Sequence, residues 1–448
     1  MASERKTVAF RTIGCKLNQC ETAQMQEALL AEGYRLVDWG QPAGVRVINT
    51  CTVTAKSDRT CRHEIRLAKR LDPDCLVAVT GCYSQVDPEA VAAIPGVDLV
   101  LGNIDKLRLA AHLAKRSEPA AGVTAPGELT VAVSGYADHQ GFEGEFVTHF
   151  YGYTRAFLKI QTGCDSRCAY CVIPLARGPA RSMTRGQVLE QVRALAARGY
   201  REVVLTGINL GSWGRDTGEG SLADLLRLLL DHGEAERYRL SSIEPLEADE
   251  TLQDVVHRAG DRVAHHFHLP LQSGSDSVLR RMNRPYAAGQ YLEVVAALSR
   301  RFPQAALGAD IIAGFPGETD REFEDTMRFV EHSPLTYLHV FGYSDRSGTS
   351  AREMGPKVHP EAIHERSLRL RALGERKNDA FRRALIGTGQ QALVLKERST
   401  DGRLVGLSGN YQEVLVPGGD ELMNRFVRVR LDRCLPDGRW ETTRMGDL

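Results

Sequence analysis

Short apolar runs and helical stretches alternate along the first hundred residues. Val8-Ala9-Phe10-Arg11-Thr12-Ile13, Val45–Ile48, Leu76–Val79 and Val97–Leu101 each read as a strand. Glu21–Glu32, Ala55–Leu71 and a stretch around Asp105–Lys115 carry apolar residues at helical spacing. Strand–helix alternation predicts a parallel sheet with helices on its faces.

A second series runs from Arg155 to Gly342. Its strand candidates are Ala156–Gln161, Glu202–Leu205, Arg237–Ile243, Ala264–Leu269, Leu307–Ala313 and Leu335–Phe341. Helical stretches such as Arg185–Arg198, Ser221–Leu230, Tyr291–Arg301 and Thr319–Glu331 lie between them. Six such units predict an incomplete (β/α)6 barrel, with its chemistry at the carboxyl ends of the strands. A long basic helix, Pro360–Leu385, follows. Then Gln391–Lys396, Leu404–Leu407, Gln412–Val416 and Phe426–Leu431 are short β-like runs broken by Gly and Pro. They predict a small antiparallel barrel.

The fold class is therefore α/β: an open parallel α/β domain at 5–118, a barrel core at 150–383 and a small β-barrel at 384–448. Residues 119–149, rich in Gly, Ala, Pro and acidic residues, read as a linker with a lead-in strand. No internal repeat is visible.

A length of 448 residues fits this division, since it exceeds what one core usually organises. A composition of 42% hydrophobic and 25% charged residues is ordinary for a globular protein. The formal net charge is zero, so any nucleic-acid binding rests on local patches. No apolar run is long enough to span a bilayer, and the start, Met1-Ala2-Ser3-Glu4-Arg5-Lys6, lacks the apolar stretch of a signal peptide. A cytoplasmic, reducing location is expected. There, ten cysteines point to metal or redox chemistry rather than disulfides.

Six of the ten form two sets. Cys164, Cys168 and Cys171 lie in one loop directly after the first barrel strand. Cys15, Cys51 and Cys82 are dispersed, but each sits just past a predicted strand, at the edge where open α/β sheets bind ligands. Three thiolates on a four-iron cubane leave one iron open for a substrate or cofactor, as catalytic zinc sites keep an open position. Structural zinc would want a fourth ligand, and no Cys or His follows Cys171 within a few residues. Cys61 falls mid-helix and Cys75 begins a strand; with Cys20 they read as packing residues.

The C-x3-C-x2-C spacing, with Tyr170 before the last cysteine, resembles the radical S-adenosylmethionine superfamily. The resemblance implies that the open iron chelates the amino and carboxylate groups of the cofactor. Reductive cleavage then yields a 5′-deoxyadenosyl radical, which abstracts hydrogen from an unactivated carbon. Loops after later strands fit cofactor contacts: Thr206-Gly207-Ile208-Asn209, Ser273-Gly274-Ser275 and Gly314-Phe315-Pro316-Gly317-Glu318-Thr319. Glu244, after the third strand, either binds ribose or makes a salt bridge.

Gly14-Cys15-Lys16-Leu17-Asn18-Gln19-Cys20-Glu21-Thr22, Asn49-Thr50-Cys51-Thr52-Val53-Thr54 and Gly81-Cys82-Tyr83-Ser84-Gln85 add a second resemblance. Joined to the compact motif, they look like the methylthiotransferases, whose last domain is called TRAM. The match spans almost the whole chain. One departure is a short C-terminal domain containing Cys434, to which the pattern gives no role. The first string resembles the branch acting on N6-threonylcarbamoyladenosine in tRNA. So do Ile173-Pro174-Leu175-Ala176-Arg177-Gly178, Arg181-Ser182 and His339-Val340-Phe341-Gly342-Tyr343-Ser344.

That resemblance implies two 4Fe-4S clusters and two S-adenosylmethionine molecules per turnover. One molecule methylates sulfur at the cluster of Cys15, Cys51 and Cys82. The other yields the radical at the cluster of Cys164, Cys168 and Cys171, and hydrogen leaves C2 of the adenine. The partners implied are the tRNA anticodon stem-loop around position 37, a sulfur donor, and reduced flavodoxin or ferredoxin. The same chemistry on isopentenyladenosine in tRNA or on a ribosomal-protein aspartate is the near alternative. An iron–sulfur electron carrier or sensor, or an RNA-binding protein with structural zinc, is the alternative of another class.

Basic residues supply RNA candidates. Arg59, Arg62, Arg66 and Lys69 recur at helical spacing a few residues after Cys51. Arg366, Arg369, Arg371, Arg376, Lys377, Arg382 and Arg383 precede the small barrel, and Arg425, Arg428 and Arg430 lie on one of its strands.

Overall fold

The computed structural model describes residues 6–117, 129–137, 141–142 and 146–447. The chain divides into two compact units. The first holds the chain up to Tyr151 together with Gln161–Arg181 and Ser344–Arg352. The second holds Gly152–Ile160, Ser182–Tyr343 and everything from Glu353 onward.

The first unit is a parallel sheet of β1 (Thr7–Thr12), β2 (Arg35–Leu36), β3 (Val45–Thr50), β4 (Leu76–Gly81), β5 (Leu99–Leu101) and β6 (Thr130–Ala132), in the order β2-β1-β3-β4-β5-β6. Phe10 sits opposite Val47, and Val47 opposite Ala78. The central strands are buried on both faces: β4 runs apolar through Val79, and Arg46 within β3 is buried with its guanidinium on the carbonyls of Trp39 and Gln41. On one face Val45, Val47 and Ala78 pack with Met25 and Leu29 of helix α1 (Lys16–Ala31). On the other, Ile48, Val77 and Val79 pack with Cys61, Ile65 and Ala68 of helix α2 (Ala55–Leu71). Thr54 caps α2 by accepting the Ser57 N–H at 3.1 Å. Cys20, Cys61 and Cys75 are all buried, the packing role expected of them.

Three details differ from the expectation. Helix α1 begins at Lys16 rather than Glu21, because Cys15 takes the extended N-cap position and the first turn is polar. β2 spans only two residues, too few to show a pattern. β6 lies in the stretch read as a linker; of that stretch, 119–128, 138–140 and 143–145 fall outside the described residues.

The second unit contains six barrel strands, in two parallel sheets of three. One is Ala156–Lys159, Glu202–Thr206 and Arg237–Leu240; the other is His266–His268, Ala306–Ala313 and Tyr337–Gly342. Tyr238 bridges to Val263, and the Ile243 N–H donates to the His268 carbonyl at 3.0 Å, so one sheet leads into the next. The helix Pro360–Leu385 connects to a closed five-stranded barrel: Gly389–Arg398, Leu404–Ser408, Glu413–Val416, Phe426–Cys434 and Trp440–Asp447. Its fifth strand was not anticipated. Only Trp440 marks it, buried in the barrel core, and the residues that follow are mostly polar.

A buried ionic cluster fixes this small barrel to the first barrel sheet. Glu202 accepts from Arg237 Nε at 2.6 Å and Arg239 Nε at 2.8 Å. The same guanidinium groups donate outward to the carbonyls of Gln391, Leu407, Ser408 and Gly409. Among the described residues no helix is long and apolar enough to cross a membrane.

Candidate active site

β1, β3 and β4 are neighbours, and their carboxyl ends bring Cys15, Cys51 and Cys82 together in the first unit. Local backbone dictates this. Gly81 turns at φ +100°, and a Cβ there would lie 2.4 Å from the Thr50 carbonyl oxygen, so only glycine lets β4 turn into Cys82 beside β3. Asn18 ties the turns together, donating to the Ile13 carbonyl at 2.7 Å and the Thr50 carbonyl at 3.0 Å. Burial pushes the Cys51 thiol up to about 11, and the nearby Cys82 and Cys15 charges add to this. Such a thiol gives up its proton when a cation binds it. Cys61 stands apart: its thiol donates to the Cys51 carbonyl at 3.3 Å, and burial raises it to about 12.

Two buried polar atoms beside these thiols have no hydrogen-bond partner among the described residues: Ser84 Oγ and Arg177 Nε. Buried polar groups are rarely left so. Three thiols beside such atoms fit a group bound by thiolate.

The loop carrying Cys164, Cys168 and Cys171 belongs to the same unit, and all three cysteines are half-buried. Gly163 opens it at φ +70°, where a Cβ would sit 1.8 Å from the Pro179 carbonyl oxygen. The Cys164 N–H donates to the Gly178 carbonyl at 3.0 Å, and the Ala180 N–H to Asp165 at 3.1 Å. The Cys171 N–H donates to the Cys168 carbonyl at 3.1 Å, and the Ala169 carbonyl accepts from the Ala351 N–H at 2.8 Å. The loop is thus held largely through its backbone. Tyr170 is half-buried within it.

The two cysteine sets are joined through side chains. Asn103 donates to the Ala176 carbonyl at 2.6 Å and lies 3.8 Å from Cys82 Sγ. The helix Ile173–Arg177, just after Cys171, packs on the helix Cys82–Val86.

The remaining residues expected at the site lie in the second unit. Asn209 contacts Glu247 at 3.5 Å. Burial pushes Glu247 up to about 7, although Arg215 pairs with it. Glu244 makes the salt-bridge alternative, with Arg284. The Ser273 hydroxyl is buried against the Thr326 hydroxyl at 3.1 Å. The Gly314 N–H donates to Glu318 at 2.7 Å. Sequence reasoning missed a cluster on adjacent barrel strands: Asp310 accepts from His268 at 3.0 Å and from His339 at 3.3 Å. Burial opposes the Asp310 charge, but these hydrogen bonds outweigh it and hold the carboxyl below its usual range. The period-two spacing of His266 and His268 was the available signal.

The basic stripe on α2 is real but shifted. Arg59, Arg62, His63, Arg66 and Arg70, with Pro95, line a groove of about 570 Å³. Lys69 is not part of it, because Asp98 at 3.2 Å and the Cys75 carbonyl at 2.6 Å hold its ammonium elsewhere. In the helix Pro360–Leu385, Arg366 is buried on Glu318 and Asp320, Arg369 pairs with Glu324, and Arg376 and Arg383 are exposed. Arg428 and Arg430 are exposed on the strand Phe426–Cys434, as its alternation requires, and Arg425, exposed as well, lies just before that strand rather than on it.

Two family models match the chain: the radical SAM superfamily over residues 158–330, and the uncharacterized protein family UPF0004 over residues 7–102. The threonylcarbamoyladenosine tRNA methylthiotransferase MtaB of Bacillus subtilis (strain 168) is 37% identical over 95% of this chain and 93% of its own length. Its counterpart in Aquifex aeolicus (strain VF5) is 38% identical over 94% and 99%. The tRNA-2-methylthio-N(6)-dimethylallyladenosine synthase of Geobacillus thermodenitrificans (strain NG80-2) is 33% identical over 95% and 81%. Among solved structures, the radical S-adenosylmethionine methyltransferase TsrM of Kitasatospora setae shares the fold, with a TM-score of 0.56 at 18% identity over 78% of this chain and 77% of that one. Identity of this extent over nearly the full length of curated relatives places the chain in the radical S-adenosylmethionine methylthiotransferase family of enzymes.

Proposed function

We propose that this enzyme methylthiolates C2 of N6-threonylcarbamoyladenosine at position 37 of tRNA. The observation that carries the reading is the joining of two three-cysteine sets in one unit, in a chain whose relatives named for that reaction match over nearly their whole length. Cys164, Cys168 and Cys171 would hold the radical-generating 4Fe-4S cluster, and Cys15, Cys51 and Cys82 a second cluster that carries the sulfur. Reductive cleavage of S-adenosylmethionine supplies the hydrogen-abstracting radical. The protein's part is to hold the thiols, orient the purine and keep water away.

The deciding experiment is mass spectrometry of tRNA nucleosides from a deletion strain, with and without the gene restored. Loss and return of 2-methylthio-N6-threonylcarbamoyladenosine supports the reading. An unchanged level overturns the substrate assignment. Loss of the 2-methylthio-isopentenyl nucleoside would redirect it to the reaction named for the Geobacillus relative.

Two further results are expected. Gly163→Ala forces a side chain into the Pro179 carbonyl at a left-handed φ, so iron bound by the Cys164 loop should fall. Gly186→Ala, where a Cβ meets nothing within 4 Å, should leave iron content unchanged. In the α2 groove, Arg66→Ala should weaken tRNA binding equally for all tRNAs. It should also reduce the slope of log affinity against log salt by about one, as loss of one phosphate contact does.

A further inference from the structure

The segment Ser344–Arg352 follows the last barrel strand in sequence but belongs to the first unit. Its contacts there fall beside cysteines of both sets. At one end the Ser344 hydroxyl accepts from the Ala55 N–H at 3.0 Å, and Arg346 Nη1 donates to Asp58 at 2.7 Å. Arg346 Nη2 donates to the Thr52 hydroxyl, which itself donates to Asp58 at 2.7 Å. Arginine, threonine and aspartate thus close a ring, and Thr52 is the residue after Cys51. At the other end the Ala351 N–H donates to the carbonyl of Ala169, the residue after Cys168, at 2.8 Å. Between the two ends Gly348 turns at φ +78°. A Cβ there would lie 2.5 Å from Leu175 Cδ1, in the helix that follows Cys171.

The segment is itself stiffened. Thr349 donates to the Arg346 carbonyl from its N–H at 3.3 Å and from its hydroxyl at 2.8 Å, and the Arg352 N–H donates to the Thr349 carbonyl at 3.1 Å. Thr52 is fully buried, and the Arg346 side chain is 11% exposed, so water competes little for the ring. A planar guanidinium held at both terminal nitrogens has one orientation, which fixes the direction from which the segment leaves Cys51. Asp58 does not depend on the arginine alone. It lies in the first turn of α2, where the helix dipole and the Thr52 hydroxyl also favour its charge. Cys82 has a tie of its own to the helix after Cys171, through Asn103. The ring at Arg346 adds a second tie, at Cys51, and a loop fixed at two separate places cannot swing about either one alone.

We propose that Arg346 is a positioning residue: through Ser344–Arg352 it holds the Cys168–Cys171 loop in register with the Cys51 turn, so that the radical formed at one cysteine set is used for sulfur insertion at the other. This rests on the reading that each set holds a cluster. Groups generated at two separate centres must meet in a narrow geometry, and a displacement of about 1 Å costs on the order of a hundredfold in rate. Loss of register therefore leaves cofactor cleavage, which needs only the Cys164–Cys171 loop, and lowers the yield of methylthio product from each cleavage.

The test measures 5′-deoxyadenosine and methylthiolated nucleoside formed by the holoenzyme on tRNA from the deletion strain. Arg346→Met should form 5′-deoxyadenosine at close to the wild-type rate, while product per 5′-deoxyadenosine falls about ten- to a hundredfold. Arg346→Lys keeps a charge opposite Asp58 but not the two-pronged contact, and should give an intermediate ratio. Gly348→Ala acts beyond the ring, strains a left-handed φ and touches no buried charge. It should lower the same ratio, and it keeps the test decisive should Arg346→Met fail to fold. A wild-type ratio in Arg346→Met and Gly348→Ala, in enzyme that holds both clusters, would overturn this inference alone. So would an equal fall in 5′-deoxyadenosine and product, which describes a prop for the fold and not a positioning residue. A wild-type enzyme that holds one cluster only would overturn the two-cluster reading with it.

Discussion

Cys164→Ala abolishes formation of 5′-deoxyadenosine, whereas Cys51→Ala leaves cofactor cleavage intact and stops insertion of sulfur: that is the expected division of labour between the two cysteine sets. It follows from how each set is built. The Cys164–Cys171 loop takes its shape from hydrogen bonds to the backbone of Gly178, Ala180 and Ala351, none of which involves Cys51. Cys51 sits at the end of β3, where Asn18 and Gly81 hold the turn whether or not the thiol is present. Cys61 cannot take its place, because that thiol faces the Cys51 carbonyl within the α2 core. Each variant should therefore lose about four iron atoms per chain and retain the other cluster. Iron and sulfide analysis reads this loss, and nucleoside chromatography of the reaction reads the cleavage. Equal loss of 5′-deoxyadenosine in both variants would contradict the assignment.

The placement of the cysteines just past their strands was legible because strand ends are local signals. The central strands were legible because burial on two faces demands apolar runs such as Leu76–Val79. What escaped was non-local. Arg177 and Glu21 meet across 156 positions, and nothing near either residue marks it as a buried ion. Lys69 has the right spacing for the stripe on α2, yet Asp98, on the approach to β5, draws it away. Trp440–Asp447 closes a barrel through pairing with strands on both sides, so its own sequence needs only one large apolar residue. Asp310 and His339 face each other through strand register, which periodicity alone cannot supply.

Glu202 shows how much a single such non-local residue can carry. It is fully buried, with Arg237 and Arg239 on its two oxygens and Arg155 3.5 Å away. Removing one partner of a buried ionic cluster costs more than the pairing contributes, because the remaining charges stay in a low-dielectric site. Glu202→Ala should cost about 3–5 kcal/mol on that basis. Glu202→Gln keeps the shape and an acceptor, and should cost less. The loss should appear first in the small barrel, since Arg237 and Arg239 hold the carbonyls of Gln391, Leu407, Ser408 and Gly409. Faster hydrogen exchange in Gly389–Arg398 and Leu404–Ser408 than in the first unit is the expected signature. The pH dependence has a definite sign. Burial opposes the Glu202 charge, but the three guanidinium groups outweigh it and hold its carboxyl well below the ordinary range. The stabilisation is therefore complete above the unfolded carboxylate value of about 4.3 and is lost as pH falls below it toward the folded value. Exchange measured at pH 7 and again near pH 4 should show the small barrel loosening in acid. In Glu202→Gln that particular dependence should disappear, because no proton is left to bind; persistence of the full acid effect in this variant would assign it to another carboxylate.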